Sequence, residues 1–225
     1  MKHIFLFIII LFSNIYADAQ ALVSSSWGVI LNPMAGVQKG IWKNQRTNAS
    51  YDGYLEGNTS GVIYGTELSM FFRYLFAGMD YMQGKLFWTY NPSESENVDD
   101  QWKKSVSGTE DLISGIIGIH LMKGRLGLWG GYIFKHTIRF DDNIDPSLPE
   151  QTIEGTGLKI GIGAHFFKQS RVRFNVVYMK STFNKMTEGG CTNNLPGNFS
   201  GGTYQKYYLD RLLFYLSIPW GHTLK

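Results

Sequence analysis

The stretch from Gly157 to Met179, GLKIGIGAHFFKQSRVRFNVVYM, decides the fold. Even positions from Leu158 to Phe166 are apolar, whereas odd positions up to His165 carry glycine, lysine or histidine. The alternation resumes after residues 168–170, again with the apolar side chains at even positions. A period of two residues is the mark of a β-strand with two unlike faces. The stretch therefore predicts two strands joined by a tight turn.

The composition of the polar face indicates which face lies inside. Between Gly157 and His165 that face carries three glycines, one lysine and one histidine, whereas the outer face of a soluble barrel carries abundant Lys and Glu. Glycine suits a narrow interior. Apolar side chains that point outward are stable where the outside is lipid. The pattern thus favours an all-β, eight-stranded antiparallel up-and-down transmembrane β-barrel, and the alternative is a soluble lipocalin-like ligand carrier with its apolar face inward.

The N-terminus has the pattern of a secretory signal. A basic start at Lys2 precedes an apolar run of about a dozen residues and an A-x-A site at 17–19. Residues 1–19 are predicted to be a cleaved signal peptide, with an alternative end at 21, followed by a barrel domain over 22–220 and a short tail over 221–225. An uncleaved anchor is the alternative, although the run is shorter than the roughly 20 residues that a spanning helix needs.

Eight segments with alternating apolar and polar residues follow. Long polar segments and short turns separate them alternately. The strands are predicted at about 24–38, 61–74, 78–90, 111–122, 126–139, 156–167, 171–179 and 204–220. The long loops are predicted at 39–60, 91–110, 140–155 and 184–203. An even number of antiparallel strands places both termini at the end of the short turns, which is the periplasmic end in a bacterial outer membrane.

This arrangement resembles the eight-stranded outer membrane family that includes the OmpA transmembrane domain and OmpX. The resemblance rests on the signal, the eight segments, the loop asymmetry and the aromatic-rich last strand, and it implies an integral outer membrane protein with a plugged interior. Expected partners are outer membrane lipids and lipopolysaccharide, the barrel assembly machinery and an unknown extracellular partner. One departure is that residues 221–225 follow Trp220, next to Pro219, where members usually end on an aromatic residue.

Charged residues on the inner phase are predicted to share the lumen. They are Glu67, Arg73, Asp80, Lys159, His165, Arg171, Arg173 and Arg211. A charge away from bulk water must be paired or hydrogen-bonded. We expect an ion-pair network that plugs a polar lumen, and the alternative is a narrow ion-conducting pore.

No catalytic site, metal site or cofactor is predicted. Ser114 and His120 share a phase, but six residues at about 3.3 Å each hold them about 20 Å apart. His136 and Thr137 are adjacent, so that a regular strand points them to opposite faces. A lipid A-modifying barrel enzyme remains an alternative function.

The loops are the predicted recognition surface. Trp42, Tyr51, Tyr54 and Trp102 are large aromatics in polar segments and are candidates for protein or glycan contacts. The alternative is that they belong to the outer aromatic girdle or pack on each other above the rim. A net charge of +3 with scattered basic residues does not indicate a nucleic-acid surface, and no nucleic-acid partner is predicted. The single cysteine, Cys191, excludes an internal disulfide framework.

Overall fold

A computed structural model describes residues 27–48, 51–91, 105–121, 125–141, 150–165, 172–199 and 202–224. The predicted signal peptide, Trp102 and Arg171 lie outside these ranges. In the described part of the chain, no helix is long and apolar enough to cross a membrane.

The described residues form a closed antiparallel barrel. Its wall has eight positions, here called staves, each filled by one strand or by two consecutive strands. Seven staves are single strands: β1 (Trp27–Asn48), β2 (Tyr51–Phe72), β3 (Leu75–Asn91), β4 (Ser105–Leu121), β5 (Leu126–Phe140), β6 (Gln151–His165) and β7 (Arg173–Glu188). Three short strands follow: β8 (Cys191–Asn194), β9 (Gly197–Phe199) and β10 (Gly202–Tyr204). The eighth stave consists of β11 (Tyr207–Ser217) and β12 (Trp220–Leu224). Each stave pairs with its neighbour in sequence and the eighth pairs with β1, which confirms the predicted fold class.

The seam between the first and last staves explains why the eighth stave is split. Met34 pairs with Ser217 and Leu31 pairs with Trp220 in the same register. Pro33 and Pro219 lie in the gap, and neither has an N–H to donate. Ile218 N donates to Pro33 O at 3.1 Å, which holds the seam at this point.

The predicted C-terminal tail is therefore wrong for residues 221–224. These residues belong to β12, and the Trp27–Leu224 pair ends the ladder. The last strand was predicted to end at the aromatic residue Trp220, and its pairing with β1 continues four residues further.

The predicted loop boundaries are also wrong, because the staves extend further. The segment predicted as a loop at 39–60 is mostly ladder, since β1 and β2 pair up to Asn48 and Tyr51. Strands β4 and β6 likewise begin inside predicted loops, and the fourth loop contains β8, β9 and β10. These segments are polar on the outer wall because they lie beyond the lipid, and polarity alone made them resemble loops.

The outer wall carries an apolar band. On β2 the outward side chains from Val62 to Phe72 are apolar apart from Thr66, and those at 56, 58 and 60 are polar. Ten residues at about 3.3 Å, tilted by about 40°, span roughly 25 Å, the height of the apolar band on outer membrane barrels. Ile117 is 67% exposed on this wall, which places it on the lipid face, opposite to its place in a soluble carrier.

A bulge changes the side-chain phase of β5. The register shifts between Ile133 and His136, and Phe134 and Lys135 both lie on the outer wall. His136 consequently points into the barrel and is fully buried. An extra residue in one strand has this effect because the alternation restarts after it.

Candidate functional site

The barrel interior is the candidate site, and its buried charges form two networks. The lower network lies toward the end of the short turns, and the upper network lies toward the end of the long loops. The lower network centres on Asp80, whose carboxylate accepts hydrogen bonds from Lys159 and from the Ser114 hydroxyl. Glu67 accepts from the Asn32 amide at 3.3 Å on the neighbouring strand. The Lys159 ammonium also lies 5.3 Å from the ring centroid of Trp129, within range of a cation–π contact.

Glycines of β5 and β6 make room for the large side chains of this lower region. A Cβ at Gly127 or Gly163 would overlap the Arg173 guanidinium, and one at Gly161 would overlap the Trp129 ring. The glycine-rich inner face of β6 thus contacts the Trp129 ring from β5 and the Arg173 guanidinium from β7. The crowded interior expected from these glycines is confirmed.

The upper network centres on Glu110. Its carboxylate lies 2.6 Å from Arg211 Nη1 and 3.0 Å from His136 Nε2. The Gln38 amide donates to Glu110 and accepts from Arg211, so that it bridges the ion pair. Ser181 Oγ lies 2.8 Å from His136 Nδ1. Glu110, His136 and Arg211 are all at most 2% exposed, so water does not screen these charges.

Two apolar clusters fill the interior around the networks. The upper cluster comprises Trp42, Leu86, Trp88, Val106, Ile138, Ile153, Phe183, Met186, Leu195, Tyr204, Tyr207 and Leu209. The lower cluster comprises Met34, Ile63, Phe71, Phe76, Met82, Leu112, Ile116, Trp129, Ile133, Val177, Met179, Leu213 and Tyr215. The expected polar lumen is therefore only partly right. The interior of an eight-stranded barrel is just wide enough for side chains to fill it, and here apolar side chains fill much of it.

The order of residues along the strands fixes the position of the upper network. On β11, Arg211 lies between Leu209 of the upper cluster and Leu213 of the lower cluster. On β5, His136 lies between Ile138 and Ile133 in the same way. Glu110 on β4 lies between Val106 and Leu112. The network is thus a polar layer enclosed between two apolar layers.

The structure places the predicted lumen residues in different surroundings. Glu67, Asp80, Lys159, Arg173 and Arg211 are buried inside the barrel, divided between the upper and lower regions.

Two other predicted lumen residues are placed differently. Arg73 does not face the lumen, because β2 ends at Phe72 and Arg73 lies in the following turn with φ of 55°. His165 is half-buried at the end of β6.

Glu110, His136 and Gln38 are not among the predicted lumen residues. Glu110 falls within the predicted loop at 91–110, although Val106, Glu110 and Leu112 share the even, inner phase of β4. His136 points inward only because of the bulge in β5. Gln38 lay at the predicted end of the first strand. For Glu110, the alternation that continues through residues 106–112 is the sequence signal that could have placed it on an inner face.

Trp42, predicted on a loop, is instead a core residue of β1. It is 6% exposed and stacks on Tyr207 with ring centroids 6.3 Å apart. The reason is that the ladder continues through this polar segment and keeps Trp42 on the inner phase. Tyr51 and Tyr54 belong to β2, and their side chains, like the whole of Trp102, lie outside the described part of the structure.

Exposed ion pairs lie on the outer wall above the apolar band. Lys85 Nζ lies 2.7 Å from Asp141 Oδ2, and Lys43 Nζ lies 3.2 Å from Glu56 Oε2. The hydrogen bond from Lys85 holds the pKa of the Asp141 carboxyl below its usual range, so this carboxylate is protonated at a lower pH than an isolated aspartate. Such exposed pairs contribute at most about 1 kcal/mol each.

Removing one partner of the upper network should be costly. We expect Arg211→Met to lower the free energy of unfolding by about 3–5 kcal/mol, because it leaves the Glu110 carboxylate buried and unpaired. The double variant Arg211→Met/Glu110→Leu should recover much of this loss. The measurement is urea unfolding of the vesicle-reconstituted protein, followed by tryptophan fluorescence.

The matched control is Lys43→Met, which breaks an exposed pair and should cost at most about 1 kcal/mol. Equal costs for Arg211→Met and Lys43→Met would contradict the described network.

Comparisons with known proteins find likeness in architecture. Outer membrane protein AlkL, determined by solid-state NMR in DMPC bilayers, is 13% identical with a TM-score of 0.44 over 88% of this chain and 91% of that chain. The outer membrane protease OmpT of Escherichia coli is 8% identical with a TM-score of 0.38 over 86% of this chain and 97% of that chain. No protein-family model and no curated protein matches the chain. On the evidence of its own closed ladder and apolar outer band, the chain is an eight-stranded antiparallel barrel of the outer membrane type.

Proposed function

We propose that the protein is an integral barrel of the bacterial outer membrane with a closed lumen, which supports the membrane and displays its outer end to a partner at the cell surface. The proposal includes export by a cleaved signal peptide and insertion by the barrel assembly machinery. The observation that carries the closed lumen is the enclosure of the Glu110–Arg211 pair between two apolar clusters.

The chemistry of this enclosure opposes ion conduction. A conducting pore hydrates its inner charges, whereas Arg211 and Glu110 are 2% and 1% exposed and pair with each other at 2.6 Å. Desolvated charges are tolerated only when they are paired and hydrogen-bonded. The network therefore suits a plug better than a selectivity filter.

The outer end of the barrel supports the surface role. Leu195, between β8 and β9, and Tyr204 of β10 belong to the upper cluster, so that this region packs onto the interior at the outer end. Strand β10 also pairs with β1 at Arg46 and Thr47. The hairpin of β1 and β2 continues well beyond the apolar band. The ladder thus continues to the outer end of the barrel, and loops on such a scaffold commonly carry binding functions.

We also propose that the barrel is not an enzyme, although Ser181, His136 and Glu110 align as hydroxyl, imidazole and carboxylate. In a nucleophilic site, the serine must reach the substrate. Here Ser181 is 0% exposed, and its inward neighbours along β7 are Met179 and Phe183. Glu110 is also shared with Arg211 and Gln38. A structural network accounts for every one of these bonds.

The closed lumen predicts the absence of unitary conductance. Purified protein in a planar bilayer should give no reproducible current steps, and Glu67→Ala should give none either, because the clusters above and around the site remain. Reproducible steps whose size changes in Glu67→Ala would establish the narrow pore instead. A bilayer-inserted porin in the same preparation serves as the positive control.

The structural role of Ser181 predicts no reaction with a fluorophosphonate probe, which labels activated serines. The expected result is no labelling of the wild type in detergent or in lipid A-containing vesicles. Labelling that is lost in Ser181→Ala and retained in Ser217→Ala would establish a hydrolase. Ser217 is the matched control because it is also buried and bonded, to Asn175 at 2.9 Å.

A further inference from the structure

A polar groove crosses the outer wall over strands β3 to β6. Its volume is about 380 Å³, and its lining includes Tyr81, Gln83, Asp111, Lys135, Thr137 and Glu154. The bulge of β5 lies beside it at Phe134 and Lys135, and the register between β6 and β7 shifts next to Glu154. The groove opens where the apolar wall ends, because Ile113 lines it and exposed Phe134 adjoins it.

The charges of the groove cancel in pairs. Arg139 Nη2 lies 3.4 Å from Asp111 Oδ2, and Lys135 Nζ lies 3.6 Å from Glu154 Oε1. Asp111 also accepts from the Tyr81 hydroxyl at 2.9 Å and from the Gln83 amide at 2.8 Å. The groove thus offers both donors and acceptors, with no net charge.

One polar atom of the groove lacks a partner. Thr137 Oγ1 is buried, in a residue only 4% exposed, and it makes no hydrogen bond within the described part of the structure. A buried hydroxyl without a partner is costly, by about 1–3 kcal/mol. A hydroxyl of a bound molecule would satisfy it.

We propose that this groove binds the sugar head group of an outer-leaflet glycolipid. Sugar hydroxyls both donate and accept, which matches a wall of paired charges, an amide and a threonine hydroxyl. The acyl chains would lie along the apolar wall below, on Ile113 and Phe134. This site requires the barrel to span the membrane, and it is independent of whether the lumen conducts.

A phosphate as the recognised group fits less well. A phosphate would need net positive charge, whereas both cations of the groove are already paired with carboxylates. Phosphorylated and dephosphorylated lipid A separate these two chemistries, since both carry the same sugar backbone.

The test is native mass spectrometry of the full-length mature protein in phosphatidylcholine nanodiscs, titrated with lipid A, dephosphorylated lipid A or phosphatidylglycerol. Both forms of lipid A should be retained in preference to phosphatidylglycerol. Thr137→Val removes one hydroxyl with little change of shape, and it should weaken retention of both forms about threefold to tenfold. Thr152→Val, a second groove hydroxyl, provides an independent variant.

Thr182→Val is the matched control, because Thr182 lies on the outer wall of β7 and does not line the groove. Its retention should equal that of the wild type. Retention that follows phosphate, with dephosphorylated lipid A lost and phosphatidylglycerol kept, would overturn the sugar site. Equal retention by the wild type and both groove variants would overturn it too.

Discussion

Closure of the ladder between β1 and the last stave is the constraint on which the structure depends. In lipid, each backbone N–H and C=O group needs a partner within the protein, so an open sheet edge would be unstable there. The pairing of β1 with β11 and β12 removes both edges at once. Because Pro33 and Pro219 interrupt the ladder at one place, the bond from Ile218 to Pro33 and the pairs beyond it keep the seam continuous.

Closure also limits the space that is available to side chains inside the barrel. A barrel of eight strands encloses space for side chains and little else, so each inward residue must pack or pair. The chain meets this requirement in layers, with an ionic layer around Glu110 between two apolar clusters. Gly127 and Gly163 make space for the Arg173 side chain, which shows that the smallest and largest inward residues are matched across strands. The closed lumen and the surface role that we propose both depend on this packing.

Alternation predicted the fold well, because it reports a local property of each strand. The lipid and lumen faces of β2, β4, β6 and β11 followed directly from it. Properties that depend on other strands were missed. The outer ends of the staves carry polar side chains where their outer wall faces water, so the sequence predicts loops there and places Trp42 on the surface. The phase of His136 depends on one bulge that alternation does not reveal, and the apolar interior depends on which residues meet across the lumen.

The most direct test of this account compares two arginine substitutions on the outer face of β4, Ile117→Arg and Thr109→Arg. Ile117 lies in the apolar band and Thr109 lies in the polar region above it. In vesicle-reconstituted protein, urea unfolding should show a loss of about 2–4 kcal/mol for Ile117→Arg and about 0–1 kcal/mol for Thr109→Arg. Equal losses, or a larger loss at Thr109, would contradict a barrel whose apolar band is embedded in lipid.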